Sequence, residues 1–173
     1  MRLEIFMAAK RSPALDRIDV KILAALQRDG RSTIQKLAQT VGLSPRASLE
    51  RVRRLEAAGV IAGYHAVVEL GRLAQPVNVF AEIILEKQAN RGRFEKRLAA
   101  IEEVVECWEV SGNVDYIARF VCADLAEYEE LTSALLDDDH LGVARIVSHV
   151  ALRPVRRFGG YPEKLIGRNL RPR

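Results

Sequence analysis

Residues 33–58 read TIQKLAQTVGLSPRASLERVRRLEAA, and this stretch decides the architecture of the first part of the chain. Ile34, Leu37, Ala38 and Val41 recur at helical spacing, and Ser32 or Thr33 stands where an N-cap is needed. Gly42 supplies the permissive backbone of a sharp turn. Ser44 then reads as an N-cap and Pro45 as the first residue of a helix that runs to about Ala58 and stops at Gly59. Leu49, Val52 and Leu55 mark its inner face. Arg46, Ala47, Glu50, Arg51 and Arg54 mark the outer one, with Ser48 and Arg53 on its flanks.

Working backwards, Leu15, Ile18, Ile22, Leu23 and Leu26 predict an earlier helix. Asp16 and Asp19 lie in its first turn, where the helix dipole favours acids, and Gly30 ends it. A short helix, a glycine turn and a capped basic helix form the helix-turn-helix pattern. Its second member enters the DNA major groove with its N-terminal residues on base edges. Arginine suits that task because its planar fork meets guanine or phosphate with two hydrogen bonds. The predicted DNA-contacting residues are Ser44, Arg46, Ala47, Ser48, Glu50, Arg51 and Arg54.

Charge is distributed to match. The chain has 173 residues and a net charge of +4. Residues 1–64 carry 12 Lys/Arg against 6 Asp/Glu, residues 65–152 carry 8 against 16, and residues 153–173 carry 7 against 1. A basic beginning and end favour a polyanion, whereas the acidic middle does not. Hydrophobic residues make up 49% and charged residues 29%, which excludes wholesale disorder. Two cysteines, Cys107 and Cys122, are too few for a disulfide scaffold or a four-cysteine zinc site. No run of 18 apolar residues predicts a membrane span, and the opening MRLEIFMAAKRSP does not read as a secretory signal, so the expected compartment is the cytoplasm.

Beyond Gly59 the periodicity changes. Residues 60–70 read as a strand interrupted by Gly63, a wing or a link, and 71–78, with Pro76, as a turn region. Residues 79–86 (VFAEIILE), 104–110, 114–121 and 143–155 read as strands. Helices are predicted over 90–100, with Phe94, Leu98 and Ile101 inward, and from an Asp124 cap to about Leu136, with Leu125, Tyr128, Leu131 and Leu135 inward. The order βαββαβ implies a ferredoxin-like antiparallel sheet with both helices on one face. The expected fold class is therefore α+β, an N-terminal winged helix-turn-helix followed by a ferredoxin-like sandwich. The expected parts are a flexible arm (1–14), the helix-turn-helix domain (15–62), a linker strand and loop (63–77), the sheet domain (78–155) and a basic tail (156–173). Phe80 and Ile84 make the second sheet face apolar too, which predicts a dimer formed through it.

Three segments in order, LDRIDVKILAALQRDGR, VGLSPRASLERVRRLEAAGVIAGY and VSGNVDY, resemble the Lrp/AsnC transcription regulators over about residues 15–155. The resemblance implies a regulator of amino-acid metabolism that binds double-stranded DNA. It also implies dimers that commonly assemble into octamers, and an amino-acid effector held between dimers near the loop joining the second and third strands. In that family the loop is typically Gly-Asp-x-Asp. Here it is Gly112, Asn113, Val114 and Asp115, so a neutral amide replaces the middle acid. The other side of the family site falls near Ser148, His149, Val150 and Ala151, of which Ser148 and Val150 are the expected contacts.

The residue types argue against catalysis. His65, His140 and His149 have no metal-ligand spacing with either cysteine, and Asp137-Asp138-Asp139-His140 reads as a solvated helix end. There is no phosphate-cradling glycine loop and no nucleophile elbow. No enzyme activity, metal or cofactor is expected. The alternatives are a sirohaem-decarboxylase-like enzyme of the same two-domain shape, which the acidic second module disfavours, and a ligand-binding module without DNA binding, which the basic helix disfavours.

Overall fold

The computed structural model describes residues 14–86 and 89–169. The expected arm falls almost wholly outside the described residues, as do Arg171 and Arg173 of the tail. The chain forms two compact units. One combines residues 14–67 with the returning tail, 156–169; the other comprises residues 68–155.

The first unit is helical. Helix α1 (Arg17–Arg28) starts in a capping box: the Asp16 carboxylate accepts from the N–H groups of Ile18 and Asp19, and the Asp19 carboxylate accepts from the N–H of Asp16. Helix α2 (Ile34–Val41) is capped by Thr33 and ends at Gly42, whose φ of 73° is left-handed. Helix α3 (Pro45–Ala57) follows, with the Ser44 hydroxyl accepting from the N–H of Ala47. Ile22, Leu37 and Leu55 are fully buried where the three helices meet, with Leu23, Val41 and Val52 around them. A short helix α4 (Glu163–Ile166) in the tail places Ile166 against this same core.

The expected strand over 60–70 does not form. Residues 62–69 belong to no regular element, and Leu70–Arg72 make a single 3-10 turn. Val67 and Val68 have the β-branched character of a strand, but both are exposed and no strand among the described residues pairs with them. Side-chain preference without a hydrogen-bonding neighbour does not make a sheet.

The second unit is a four-stranded antiparallel sheet, β1 (Val77–Leu85), β2 (Val104–Glu109), β3 (Tyr116–Cys122) and β4 (Val143–Val150), in the order β2-β3-β1-β4. Helices α5 (Arg91–Ala99) and α6 (Leu125–Leu136) complete the βαββαβ order. Pairing of Ala81 with both Ala118 and Ser148 sets the register of β3, β1 and β4. Alternation along β1 then sends Val79, Ala81, Ile83 and Leu85 under the helices, where Phe94, Leu98, Tyr116, Phe120 and Leu135 close the core. Leu125, expected inward, lies 54% exposed in the first turn of α6.

The opposite sheet face carries no helix, as the element order predicts. It is less apolar than expected. Phe80, Ile117, Val147 and Trp108 share it with an Arg119 guanidinium that bonds Asn78 and Glu106, and with a Glu82–His149 pair at 3.5 Å.

Phe120 is fully buried and meets Tyr128 edge-on at 5.3 Å. Phe120→Ala is expected to cost about 3–5 kcal/mol of the sheet unit's stability. Urea unfolding followed by Trp108 fluorescence measures it.

Candidate DNA-reading helix and effector loop

The sequence places four arginines, Arg46, Arg51, Arg53 and Arg54, and Glu50 among the outward and flanking positions of α3, and the structure sorts them into two groups. Arg51 and Arg54 turn back toward α1. Arg51 Nη1 lies 2.7 Å from Asp16 Oδ2 and 2.8 Å from Asp19 Oδ1, and Arg54 Nη2 lies 2.6 Å from Asp19 Oδ2. Asp19 is fully buried, so both of its oxygens are spent on these guanidiniums and on the N–H of Asp16. Burial acts to raise the pKa of Asp16, but the N–H of Asp19 and the Arg51 guanidinium outweigh it and hold that carboxyl below its ordinary value. The hydrogen bond to Asp16 in turn raises the pKa of Arg51.

The second group faces solvent. Ser44, Arg46, Glu50 and Arg53 are exposed and Ala47 is half-buried. Arg46 and Glu50 form a loose i,i+4 pair at 3.5 Å, in which both side chains remain mostly exposed. Arg53, which the sequence reading put only at the flank, is exposed and makes no ion pair among the described residues. Its signal in the sequence was position alone: it sits two residues from Arg51, on the other side of the helix.

One expectation is corrected. Ser48 does not face outward; it is fully buried, and its Oγ has no hydrogen-bond partner among the described residues. Four residues before Val52 and seven before Leu55, it falls on the core side of the helix, so it cannot touch DNA while α3 stays packed.

The second candidate is the loop between β2 and β3. Gly112 has φ of +129°, which L side chains rarely adopt. Asn113 is exposed beside it. Asp115 faces inward: its backbone N–H donates to Ile83 O at 3.0 Å, its Oδ2 accepts from the N–H of Leu85 at 2.9 Å, and its Oδ1 pairs with Arg91. Arg91 also lies 3.6 Å from Glu109 and over the Tyr116 ring. The carboxylate therefore ties the loop to the end of β1 and the start of α5. Burial first, and then the bond to Glu95, push the Tyr116 hydroxyl up to about 12.

Ser148 and Val150 are not brought to this loop within one chain. They pair with Ala81 and Val79, whereas Tyr116, next to Asp115, pairs with Ile83. Two strand spacings separate β3 from β4, about 10 Å, and Ser148 is about 10 Å further along the strands from Asp115. Ser148 bonds the Tyr128 hydroxyl on the helix side, and its neighbour His149 faces the open side.

The acidic run at the end of α6 is explained locally: Asp137 is the C-cap, and Asp138 accepts from the N–H of His140. Among the described residues no group of three His, Cys, Asp or Glu is placed to hold a metal ion, and no helix is long and apolar enough to cross a membrane.

Comparison with known proteins bears on both candidates. Residues 78–160 match the family model of the Lrp/AsnC ligand binding domain, and residues 15–62 match that of a winged helix-turn-helix DNA-binding domain. The chain is 45% identical over 144 residues to the Bkd operon transcriptional regulator of Pseudomonas aeruginosa, covering 82% of this chain and 93% of the relative. It is 44% identical over 136 residues to the leucine-responsive regulatory protein of Haemophilus influenzae, covering 75% and 80%. A transcriptional regulator from Neisseria meningitidis, solved as a complex with L-Met, superposes with a TM-score of 0.82 at 27% identity over 88% of this chain and 99% of that one. An AsnC family regulator from Agrobacterium tumefaciens gives 0.80 at 28% identity, with the same coverage.

Two outcomes are expected from these geometries. Asp19→Ala should cost about 3 kcal/mol of the helical unit's stability, the low end for breaking a buried pair because the Arg54 it releases can rehydrate; far-UV circular dichroism during urea unfolding reads this. Tyr116 has a raised folded pKa, so its contribution is full below pH 10 and lost as pH rises toward 12. Tyr116→Phe should remove that alkaline loss, measured by unfolding between pH 9 and about pH 12.

Proposed function

Because the chain belongs to the Lrp/AsnC family of transcription regulators, we propose that it reads DNA through the exposed first turns of α3 and answers to a small amino acid bound at the loop of Gly112, Asn113, Val114 and Asp115. The protein is a transcription regulator with a helix-turn-helix DNA-binding part and a ligand-binding part. One observation supports the finer reading: Asp19 ties α3 to α1 through Arg51 and Arg54, while Ser44, Arg46 and Glu50 in its first two turns stay exposed. A helix held at its back and free at its N-terminal front has the form of a groove-reading element.

On this reading Ser44 and the helix N-terminus meet a phosphate, and Arg46, Ala47 and Glu50 reach base edges. Arg53 adds a phosphate contact beside them. Arg51 acts by positioning, since its guanidinium is occupied by Asp16 and Asp19. Arg54 keeps unpaired donors at 57% exposure and is available to phosphate as well as to Asp19.

The effector is an amino acid. The amides around Gly112 and Asn113 would receive its carboxylate. Asn113 offers a carbonyl oxygen, in place of a carboxylate, to its ammonium. Asp115, committed to Arg91 and to the Leu85 N–H, shapes the loop. Ser148 and Val150 lie too far away in their own chain, so a second copy supplies them and the site is complete only in the oligomer. The sheet face with Phe80 and Trp108 joins two copies into a dimer, and dimers assemble further, up to octamers. The effector acts by binding one assembly more tightly than another. Such a regulator works in the cytoplasm, where its DNA is, and carries no enzymatic activity.

Fluorescence anisotropy on DNA from upstream of its own gene, repeated with each common amino acid, tests this. Sequence-preferring binding that one amino acid shifts is the expected result. Arg46→Ala should weaken specific binding by about 1–3 kcal/mol. Asp115→Ala should leave DNA affinity in place and blunt the amino-acid response. Binding with no sequence preference at any salt would overturn the assignment.

A further inference from the structure

The tail does not trail away from the fold. It returns to the helical unit and is fastened there. Tyr161 N–H donates to Gln27 Oε1 at 2.6 Å, and the Gln27 amide donates back to Tyr161 O at 3.3 Å, a two-point clasp on the last turn of α1. Gly160 makes it possible: its φ is +108°, and a Cβ there would come within 2.9 Å of Gln27 Oε1. Phe158 and Tyr161 stack edge-to-face at 5.1 Å, and Ile166 reaches the core of the three helices.

This docking changes the electrostatics of the unit. Residues 14–67 carry nine Lys/Arg and five Asp/Glu. Four of those nine already sit against carboxylates: Lys36 on Asp29, Arg46 on Glu50, and Arg51 and Arg54 on Asp19. Residues 156–168 add Arg156, Arg157, Lys164 and Arg168 against the single acid Glu163. The docked tail thus raises the unit's net charge from +4 to +7. Arg156, Lys164 and Arg168 are exposed. The tail also encloses an open hollow of about 350 Å³ lined by Arg156, Arg157, Phe158, Gly159, Gly160 and Tyr161. The exposed Arg156 guanidinium beside a Gly-Gly backbone offers this concavity donors of the kind that take a phosphate. Gln27 lies eight residues along α1 from Asp19, the anchor of the reading helix, or about 12 Å, less than the length of a few phosphate steps.

We infer that the docked tail is a second DNA-binding surface of the helical unit, one that takes backbone phosphates through Arg156, Lys164 and Arg168 without reading sequence. The inference rests on the reading that the helix-turn-helix binds DNA. It assigns affinity and salt dependence to the tail and leaves base recognition to α3.

The test compares two charge-matched variants of the full chain. In one, Arg156, Lys164 and Arg168 all become Gln. In the other, the exposed Arg93, Lys96 and Arg97 of α5, in the sheet unit, become Gln. Anisotropy titrations on operator and scrambled DNA over a range of salt give the slope of log K against log salt. Each lost phosphate contact should flatten that slope by about 0.9, so the tail variant is expected to lose about two to three. It should bind both DNAs at least about tenfold more weakly at physiological salt, with the ratio between them unchanged. The α5 variant should match the unaltered chain. An unchanged slope in the tail variant would overturn the inference, and so would an equal loss in both variants, which would mean that net charge alone matters. If the unaltered chain shows no DNA preference, the regulator reading fails first, and this inference falls with it.

Discussion

Asp19 sits at zero exposure inside the helical unit, and a buried carboxylate is tolerable only when its charge and lone pairs are met. Here Arg51, Arg54 and the Asp16 N–H meet them, and each of those groups is thereby fixed. The consequence reaches well beyond one ion pair. It holds α3 against α1, engages two of the four arginines that look outward in the sequence, and leaves Arg46 and Arg53 exposed. Asp16, which caps α1 while pairing with Arg51, joins the start of the first helix to the middle of the third. The same residues therefore stabilise a helix end and hold a helix crossing.

The sheet unit repeats this logic with another carboxylate. Asp115 spends its oxygens on Arg91 and on the Leu85 N–H, so the glycine-containing loop is held to the scaffold on one side and open on the other. The replacement of the family's middle acid by Asn113 falls on the open side, where an effector would meet it, and the scaffold contacts of Asp115 are untouched.

How much of this was legible beforehand follows from the range of the interactions involved. The helix caps at Asp16, Thr33, Ser44, Asn90 and Asp124 are local, and four of the five were readable as caps or first-turn acids in the bare sequence. The alternation along β1 was equally plain, because a period of two assigns each residue to a face. Ser48 is buried although a small polar residue gives a helical wheel no hydrophobic signal; only its spacing from Val52 and Leu55 points inward. The strand expected over 60–70 failed for the converse reason: the local preference is present and the partner is absent. Arg51 and Arg54 are legible as arginines on an outer arc, but not as partners of acids 32 to 35 residues earlier in the chain.

The sequence by itself determined the element order, the turn at Gly42, the capped basic helix after it, the inward residues of the sheet and the membership of the family, because caps, glycine turns and periodicity act between neighbours. Only the tertiary structure decided which arginines of α3 pair with carboxylates, that Asp115 serves the scaffold, that Ser148 and Val150 stand apart from the loop in their own chain, and that the tail returns to Gln27. These are pairings between residues distant in sequence, and the free energy that selects among them comes from burying charge and apolar surface together, which no local pattern encodes.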